Sequence, residues 1–316
     1  MDTRADVVIP VHGGYPLTDS CLRHLAAQTV AHEVTIVDNG SRDDTLARLR
    51  EQWPAVRVLE MGANRGFTQA CNRGVARGQA PLVVLLNNDV DCRPDFLERL
   101  LAPLRADPRV GSATPLLLRP GELQIDSAGL ATDVTLAGFP RLRGEPLSRA
   151  PSPSPRLLGP TGAAAAYRRT AWEQCGGLDE RITAYQEDLD LALRLRAAGW
   201  PAAAALDAVA VHLGSASYGH RSARQRRLAG FSRGYLLRRY RVLHGRHAAR
   251  TLATEALVSL ADVATCRDLD SLAGRLAGWR AARGVPANER PPAAAIDEQI
   301  GLLRSLRLRR AVAGAR

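Results

Sequence analysis

The first ninety residues alternate short apolar runs with stretches of helical periodicity. The apolar runs are continuous, short and rich in β-branched residues, as in ADVVIPV, and they occupy residues 5–11, 33–41, 56–61 and 80–90. Helix-like patterns lie between them, at residues 18–28, 43–53 and 66–78. Strands that alternate with helices of about ten residues indicate βαβ units, in which helices cover both faces of a parallel sheet. The sequence therefore predicts an α/β fold with a mostly parallel central sheet.

Polar side chains gather where these predicted strands end. They are His12 after the first strand, Asp38 and Asn39 after the second, Asn64 after the third, and Asp89 and Asp91 after the fourth. Open α/β sheets bind ligands at the carboxyl ends of their strands. We therefore expect a ligand site at this edge of the sheet.

The middle of the chain is less regular. Residues 95–107 are predicted to be helical and residues 111–118 to form a strand, whereas residues 119–155 show no clear period and are interpreted as a loop or irregular hairpin region. Further on, a small-residue segment and short helix at 159–180, an amphipathic helix at 187–200 and a strand at 202–215 are predicted. Arg-rich helical stretches follow at about 222–250, 251–283 and 293–312.

The charge divides the chain into two parts, because all 43 cationic residues are arginine and they are unevenly placed. Residues 1–218 are nearly neutral, whereas residues 219–316 carry 20 Arg against 7 acidic residues. We predict an α/β domain over 1–218 and a helical C-terminal extension over 219–316. A basic extension suits an anionic surface, either a membrane leaflet or nucleic acid, and solvated helix faces are the alternative.

Asp89 and Asp91 would repel each other unless a cation or water lies between them. Side chains two residues apart diverge from a regular strand, but where the chain turns at a strand end both can address one ion. Oxygen ligands suit Mg²⁺ or Mn²⁺, and Mg²⁺ needs only one or two carboxylates beside substrate phosphates. A solvated turn or a helix cap is the structural alternative.

Three other groups have both a functional and a structural interpretation. Asp38 can accept from a nucleobase N–H or from ribose hydroxyls, while Asp44 is interpreted as a helix cap. The acidic residues Glu187, Asp188 and Asp190 suit the start of a helix, and one of them can instead face the cleft as a general base. His212 ends an apolar strand and is either structural or part of a cation site.

Seven motifs, in order, resemble family 2 glycosyltransferases, closest to their bacterial rhamnosyltransferase-like branch. They are VVIPVHGG, VDNGSRDDT, NRGFTQACNRG, LLNNDVD, GPTGAAAAYRR, GGLDERITAYQEDLDLALRLRAAGW and VHLGSAS, and the resemblance covers about residues 5–220. It implies the nucleotide-diphospho-sugar transferase (GT-A) fold and inversion at the anomeric carbon.

The resemblance also implies roles for particular residues. The implied donor-nucleotide residues are Pro10, Val11, Asp38, Asp43, Asn64, Asn72 and Asp89. The implied metal ligands are Asp89, Asp91 and His212, which would hold Mg²⁺ or Mn²⁺ on the diphosphate, and the implied catalytic base is Asp188. His12 stands where many relatives have a small or polar residue, so it receives no role.

The predicted function is transfer of a sugar from a nucleoside-diphosphate donor to a hydroxyl of a glycan or lipid-linked acceptor. Branch resemblance suggests a deoxythymidine-diphosphate-rhamnose donor first, with galactofuranose or another hexose left open. A nucleotidyltransferase is a poorer match, because PVHGGYPLTD offers glycines without a cation. A catalytically inactive relative that binds nucleotide sugars is a further alternative. An aromatic content of 4% and the absence of a recognisable module argue against nucleic acid.

The expected location is the cytoplasm, peripheral at the inner membrane face through the basic extension. The chain shows no signal-peptide pattern at its start and no run of eighteen apolar residues. Its five scattered cysteines, without a C-x-x-C pair, are expected to be reduced and mostly buried.

Overall fold

The computed structural model describes residues 4–214 and 222–314. Its strands are β1 (Ala5–Val11), β2 (His32–Asp38), β3 (Arg57–Glu60), β4 (Leu82–Leu86), β5 (Val90–Cys92), β6 (Ser112–Leu118), β7 (Ile125–Ser127), β8 (Leu130–Thr132), β9 (Gly138–Pro140), β10 (Ala164–Arg168) and β11 (Ala202–His212). Its helices are α1 (Tyr15–Ala26), α2 (Thr45–Gln52), α3 (Phe67–Val75), α4 (Phe96–Ala106), α5 (Arg169–Gln174), α6 (Glu187–Ala197), α7 (Ala223–Arg239), α8 (Ala248–Cys266), α9 (Asp270–Ala281) and α10 (Leu302–Gly314).

A nine-stranded sheet forms the centre, in the order β3-β2-β1-β4-β10-β6-β11-β5, with β7 beside β6. The four strands from β3 to β4 are parallel, and so are β6 and β11. Strand β10 is antiparallel to both neighbours because the chain leaves β6 at its carboxyl edge and re-enters the sheet from that same edge. The predicted α/β sheet flanked by helices is confirmed, with parallel pairing concentrated in its first half.

Strand β1 shows why the apolar runs are continuous rather than alternating. Val7 and Ile9 pack on one face of the sheet with α1 and α4, whereas Val8 packs on the other face with α3 and α6. All three side chains are fully buried. Successive residues of a strand point to opposite faces, so a strand covered on both sides needs apolar residues at every position.

The aperiodic segment is more ordered than its sequence indicates. Strands β8 and β9 pair in a separate two-stranded sheet, and most of residues 125–142 are buried. Arg141 is buried there and donates to the backbone carbonyls of Ala128, Ser152 and Pro155. These bonds satisfy the buried carbonyl groups of the loop, so the segment is ordered although its sequence has no helical or strand periodicity.

The predicted helices of the extension have different bounds in the structure. The pattern over 222–250 is broken after α7, where Arg241 has a left-handed φ of 48°, and the pattern over 251–283 divides into α8 and α9 at Arg267, with φ 55°. The last helix begins at Leu302 rather than at residue 293. No described helix is long and apolar enough to cross a membrane.

The extension packs directly on the body of the molecule. Helices α7 and α9 approach so closely that a Cβ on Gly234 or on Gly278 would lie 1.9 Å from a backbone oxygen of the other helix. From α7, Ser232 donates to the Ala184 carbonyl, and beyond it the Tyr240 hydroxyl donates to Asp190 of α6. The predicted domain boundary at 218/219 and the end of the VHLGSAS motif fall within 215–221, outside the described residues.

Candidate active site

Asn39 connects the loops that follow β1, β2 and β3. Its N–H donates to the Val11 carbonyl, and its side-chain amide donates to Asn64 and to the Gly66 carbonyl. Its side-chain oxygen accepts from the Arg65 N–H at 2.8 Å. These bonds therefore hold the loops that carry Val11, Asn39 and Asn64 together at this edge of the sheet. The sequence places Asn39 among the polar residues at the strand ends but assigns it no role of its own.

Asp38 and Asp43 shape the loop beside that site. Asp38 is 3% exposed and accepts from the Ser41 N–H. Asp43 accepts from the N–H groups of Thr45 and Gly14, and hydrogen bonding, first from Thr45, holds its pKa below the usual range. Asp44 occupies the cap position of α2 but its carboxylate makes no cap hydrogen bond, so the capping prediction for it is wrong. Asp43, rather than Asp44, accepts from the first residue of α2, and it also binds Gly14 in the loop after β1.

Pro10 and Val11 are the last two residues of β1 and pair with Val37 and Asp38 of β2.

Asn72 lies within α3 and contacts a different part of the chain. Its amide donates to the Leu178 carbonyl and to Glu180, and its oxygen accepts from the Leu178 N–H. These bonds fix the loop before α6. A nucleotide contact by Asn72 stays a prediction, and the donors and acceptor of its amide are already engaged.

Asp89 lies in the turn between β4 and β5 and faces the end of β11. Its Oδ1 is 3.5 Å from His212 Nε2, while His212 Nδ1 lies 2.8 Å from Oδ2 of Asp126. Burial alone would lower the pKa of His212, but the Asp126 and Asp89 carboxylates outweigh it and raise that pKa to about 9. The structure thus assembles an Asp–His–Asp row at the carboxyl edge of the sheet.

Asp91 has a separate set of contacts. It accepts a hydrogen bond from the Ser20 hydroxyl at 2.8 Å, and its Oδ1 lies 3.3 Å from His24 Nδ1 on α1. The contacts of Asp89 and Asp91 are therefore divided between β11 and α1. Participation of Asp91 in a shared metal site stays a prediction.

Asp188 is the second residue of α6 and is held by the loop that precedes β10. Its carboxylate accepts from the Gly162 N–H at 2.8 Å, and the adjacent Ala163 carbonyl accepts from the Asn87 N–H at 2.9 Å. Asn87 directly precedes the turn that carries Asp89, so two successive hydrogen bonds connect the predicted base to the predicted cation turn. Burial raises the pKa of Asp188, against the opposing N–H groups of Gly162 and Leu189.

The three carboxylates of the α6 start have different environments. Burial, with the charge of Asp188 second, raises the pKa of Glu187 to about 8. Asp190 is fully buried, is paired with Arg194 and accepts from the Tyr240 hydroxyl, so it anchors the extension. Asp188 alone of the three is held by the β10 loop.

The residues present fit a divalent cation site in which the protein supplies a few ligands and the substrate supplies most of them. If His212 donates its Nδ1 proton to Asp126, the lone pair of its Nε2 lies toward Asp89, which is the carboxylate–histidine arrangement that accompanies many metal sites. The described residues contain no cluster of three or more His, Cys, Asp and Glu side chains able to hold an ion by themselves. Diphosphate oxygens would have to complete the coordination.

Sequence reasoning missed two residues of this site. Asp126 orients His212 from a segment without periodicity, and nothing in the sequence distinguishes it from other acidic loop residues. Gly162 lies in the GPTGAAAAYRR motif, but the motif does not predict that the Gly162 N–H donates to Asp188, 26 residues away. Both contacts depend on how distant segments meet.

Comparison with known proteins gives a family match. The model for Glycosyl transferase family 2 matches residues 6–176. The N-acetylglucosaminyl-diphospho-decaprenol L-rhamnosyltransferase of Mycobacterium tuberculosis is 34% identical, over 56% of this chain and 66% of its own length. The O-antigen biosynthesis protein RfbC of Myxococcus xanthus is 31% identical, over 68% of this chain and 18% of that protein. The matched region thus spans slightly less than two thirds of the mycobacterial relative.

Two solved structures share the fold at low sequence identity. The mannosyltransferase PcManGT from Pyrobaculum calidifontis, solved with GDP-Man and Mn²⁺, has a TM-score of 0.54 and 20% identity, covering 88% of this chain and 86% of its own. GalNAc-T7, solved with UDP, GalNAc and Mn²⁺, has a TM-score of 0.58 and 14% identity, covering 80% and 54%. The likeness supports the GT-A fold that the sequence motifs imply.

Proposed function

The chain belongs to glycosyl transferase family 2, and from that membership we propose that it moves a sugar from a nucleoside-diphosphate donor to an acceptor hydroxyl with inversion. The observation that carries the proposal is the pair of hydrogen bonds that connects Asp188, through Gly162 and Asn87, with the Asp89 turn. An acceptor base and a diphosphate site on one edge of the sheet are what a single displacement requires.

The nucleotide would lie on the loops that Asn39 ties together. Asp38 and Asp43 offer carboxylate oxygens to ribose hydroxyls or a base N–H, and Pro10 and Val11 offer the end of β1 as a wall. Rhamnose on deoxythymidine diphosphate is the donor we propose first, since the mycobacterial relative is named a rhamnosyltransferase. Another hexose or galactofuranose would use the same nucleotide loops.

Asp188 would take the proton of the acceptor hydroxyl as that oxygen attacks the anomeric carbon. The C–O bond to the acceptor forms as the bond to the diphosphate oxygen breaks, and the leaving group departs as the nucleoside diphosphate. Attack opposite the leaving group inverts the configuration. A carboxylate whose pKa burial has raised is a stronger base than an exposed Asp and gains more from accepting that proton.

Asp89 and His212 would hold Mg²⁺ or Mn²⁺, with Asp91 as a further predicted ligand. A bound cation would supply Lewis-acid neutralisation of the charge that develops on the diphosphate. Asp126 would keep His212 in the tautomer whose Nε2 lone pair is free to ligate. Asp89 is nearly inaccessible to water, so its charge acts at low dielectric.

The acceptor we propose is a lipid-linked glycan, because the mycobacterial relative is named for a decaprenol-diphosphate acceptor. We place the catalytic unit at residues 1–218 and the helical extension at 219–316. The extension packs against α6, which carries Asp188, through Tyr240, and against the loop before α6 through Ser232. Acceptor choice would then depend on loops beside the sheet as well as on this packing.

The test is donor consumption and transfer over a panel of nucleotide sugars with Mn²⁺, Mg²⁺ or chelator. Asp188→Asn is expected to lose about 10²–10⁴-fold in transfer while still binding nucleoside diphosphate by calorimetry. Asp89→Ala is expected to lose the metal-dependent part of donor binding. Comparing Asp91→Ala with Asp89→Ala shows which of the two carboxylates binds the cation.

Asp95→Asn is the matched control, because Asp95 is the half-buried cap residue of α4 and its carboxylate contacts Arg99 of that helix. It should leave transfer unchanged. Asp188→Asn enzyme that transfers at the wild-type rate would remove the base assignment. A wild-type chain that binds no nucleoside diphosphate with any metal would remove the proposed function.

A further inference from the structure

We propose that the outer faces of α8 and α9 are a docking surface for an anionic lipid leaflet. This surface, the leucine face, is defined by six leucines that are between 37% and 66% exposed. Its leucines are Leu252, Leu257 and Leu260 of α8, Leu269 before α9, and Leu272 and Leu276 of α9. They belong to two consecutive helices and to the three-residue connection between them.

Helix α8 is inverted relative to an ordinary surface helix. Its charged side chains face the protein: Glu255 pairs with three arginines, Asp262 accepts from Ser271, and Arg250 donates to the Ile300 carbonyl. Its exposed positions are instead alanine and leucine at helical spacing, with Thr265 near the end. A surface helix normally turns its polar face to water, so a contiguous apolar face marks a binding surface.

The exposed charged residues around the leucine face are all arginines. Every exposed side chain from 249 to 281 is alanine, leucine, threonine or arginine, and the four acidic residues of that range are buried or half-buried. The exposed cations are Arg267 at the end of α8 and Arg280 on α9, one helical turn beyond Leu276. Arg304 and Arg307 of the neighbouring α10 are also exposed. An apolar surface with an arginine border and no exposed carboxylate suits anionic headgroups over acyl chains.

A second copy of the chain is the competing occupant of this surface. Two copies related by a twofold axis would place the same arginine border on both sides of the contact. Like charges that face each other oppose such a pairing, whereas anionic lipid neutralises them. The charge pattern therefore favours the leaflet.

Docking of this kind would bring the enzyme to lipid-linked acceptors, and that consequence rests on the proposed function. The surface is coupled to the body, since α9 packs on α7 and α7 bonds to residues 184 and 186 beside the Asp188 helix. Docking itself requires neither donor nor turnover, so it can be tested apart from catalysis.

The experiment is flotation of the full chain with phosphatidylcholine vesicles, with and without phosphatidylglycerol, at low and high salt. Binding is expected only with phosphatidylglycerol and should weaken as salt rises. Leu257→Glu/Leu260→Glu should lower the bound-to-free ratio about tenfold or more. Arg267→Gln/Arg280→Gln should also weaken binding and reduce its salt dependence.

Leu123→Glu is the matched control, because Leu123 is 81% exposed but lies in the loop between β6 and β7. It should float like wild type, and circular dichroism should show all variants folded. Absence of wild-type binding to anionic vesicles, or equal binding by Leu257→Glu/Leu260→Glu and Leu123→Glu, would overturn the proposal. So would a concentration-dependent dimer that the double variant dissociates, without vesicle binding, since the leucine face would then belong to a second copy.

Discussion

At the scale of single residues, the Glu187–Asp188 pair sets the protonation state of the site. Both carboxyls have raised pKa values because of burial, and Glu187, at about 8, holds its proton near neutral pH. Two adjacent buried carboxylates cannot both ionise easily, because their negative charges repel each other. A protonated Glu187 removes this repulsion from the ionised Asp188. Asp188 can then act as the ionised base while Glu187 remains protonated.

The first prediction concerns the pH profile of transfer. Because Asp188 must be ionised, kcat/KM should rise with pH through a pKa above that of an ordinary Asp. Glu187→Gln should preserve this acid limb, since Glu187 is already neutral there, and should remove any change near pH 8. The measurement is kcat/KM against pH for both proteins. An acid limb that moves by more than about one pH unit in Glu187→Gln would reassign the base.

The second prediction concerns Asp126. Asp126→Asn keeps an acceptor for the His212 Nδ1 proton but removes the carboxylate charge that strengthens the ring as a ligand. The Mn²⁺ concentration for half-maximal transfer should rise by about tenfold. Titration of activity with Mn²⁺ measures it, with Asp95→Asn as control. An unchanged Mn²⁺ requirement would separate His212 from the cation.

The positions of individual residues were predictable from the sequence where those residues lie at a strand or helix end. Asp38, Asp89, Asp188 and His212 follow or begin regular elements, and the structure gathers them at one edge. Asp126 and Asn72 show the limit, because their partners lie 86 and 106 residues away in the chain. Side-chain pairing over such separations depends on the packed fold, and local pattern does not encode it.

At the scale of elements, strands were easier to predict than the helices of the extension. A strand such as β1, buried on both faces, needs an unbroken apolar run, whereas α8 exposes its apolar face and buries its charges. Helical periodicity is the same whichever face turns outward, so the sequence alone does not reveal the inversion. The breaks at Arg241 and Arg267 were equally hidden, since arginine is an ordinary helix former.

The third prediction concerns the contact of α7 with α9. Alanine is about 1 kcal/mol more favourable than glycine in an unconstrained helix interior. Gly234→Ala should nevertheless lower the free energy of unfolding, because the added methyl would lie 1.9 Å from the Arg275 carbonyl and force the helices apart. Urea denaturation measures the change. Gly301→Ala, where nothing lies within 4 Å of the new Cβ, is the control and should be neutral.

At the scale of the whole molecule, one buried carboxylate joins the helices of the extension. Glu255 of α8 pairs with Arg233 of α7, Arg275 of α9 and Arg309 of α10. Arg233 also donates to the carbonyls of Thr135 and Leu136 in the catalytic body. The arginines that the charge count assigned to an anionic partner are thus partly internal, and only some remain at the surface for the leucine face.

The fourth prediction tests this junction. The three arginines outweigh burial and hold the pKa of Glu255 well below its usual value. A carboxyl with a depressed folded pKa stabilises above its unfolded pKa, near 4.3, and loses that contribution as pH falls toward the folded value. Glu255→Gln would leave the arginines buried without their counter-charge, so it should cost about 3 kcal/mol at neutral pH. The deficit should shrink on acidification below about pH 4.

Urea denaturation of wild type and Glu255→Gln between neutral and acid pH gives both quantities. Glu98→Gln serves as control, since Glu98 is exposed and its carboxylate accepts from the Thr29 hydroxyl at the surface. Removing an exposed carboxylate should change stability by less than about 0.5 kcal/mol. If Glu255→Gln behaves like Glu98→Gln, the extension is held by its apolar contacts and the glycine-lined α7–α9 packing, and the charge cluster contributes nothing further.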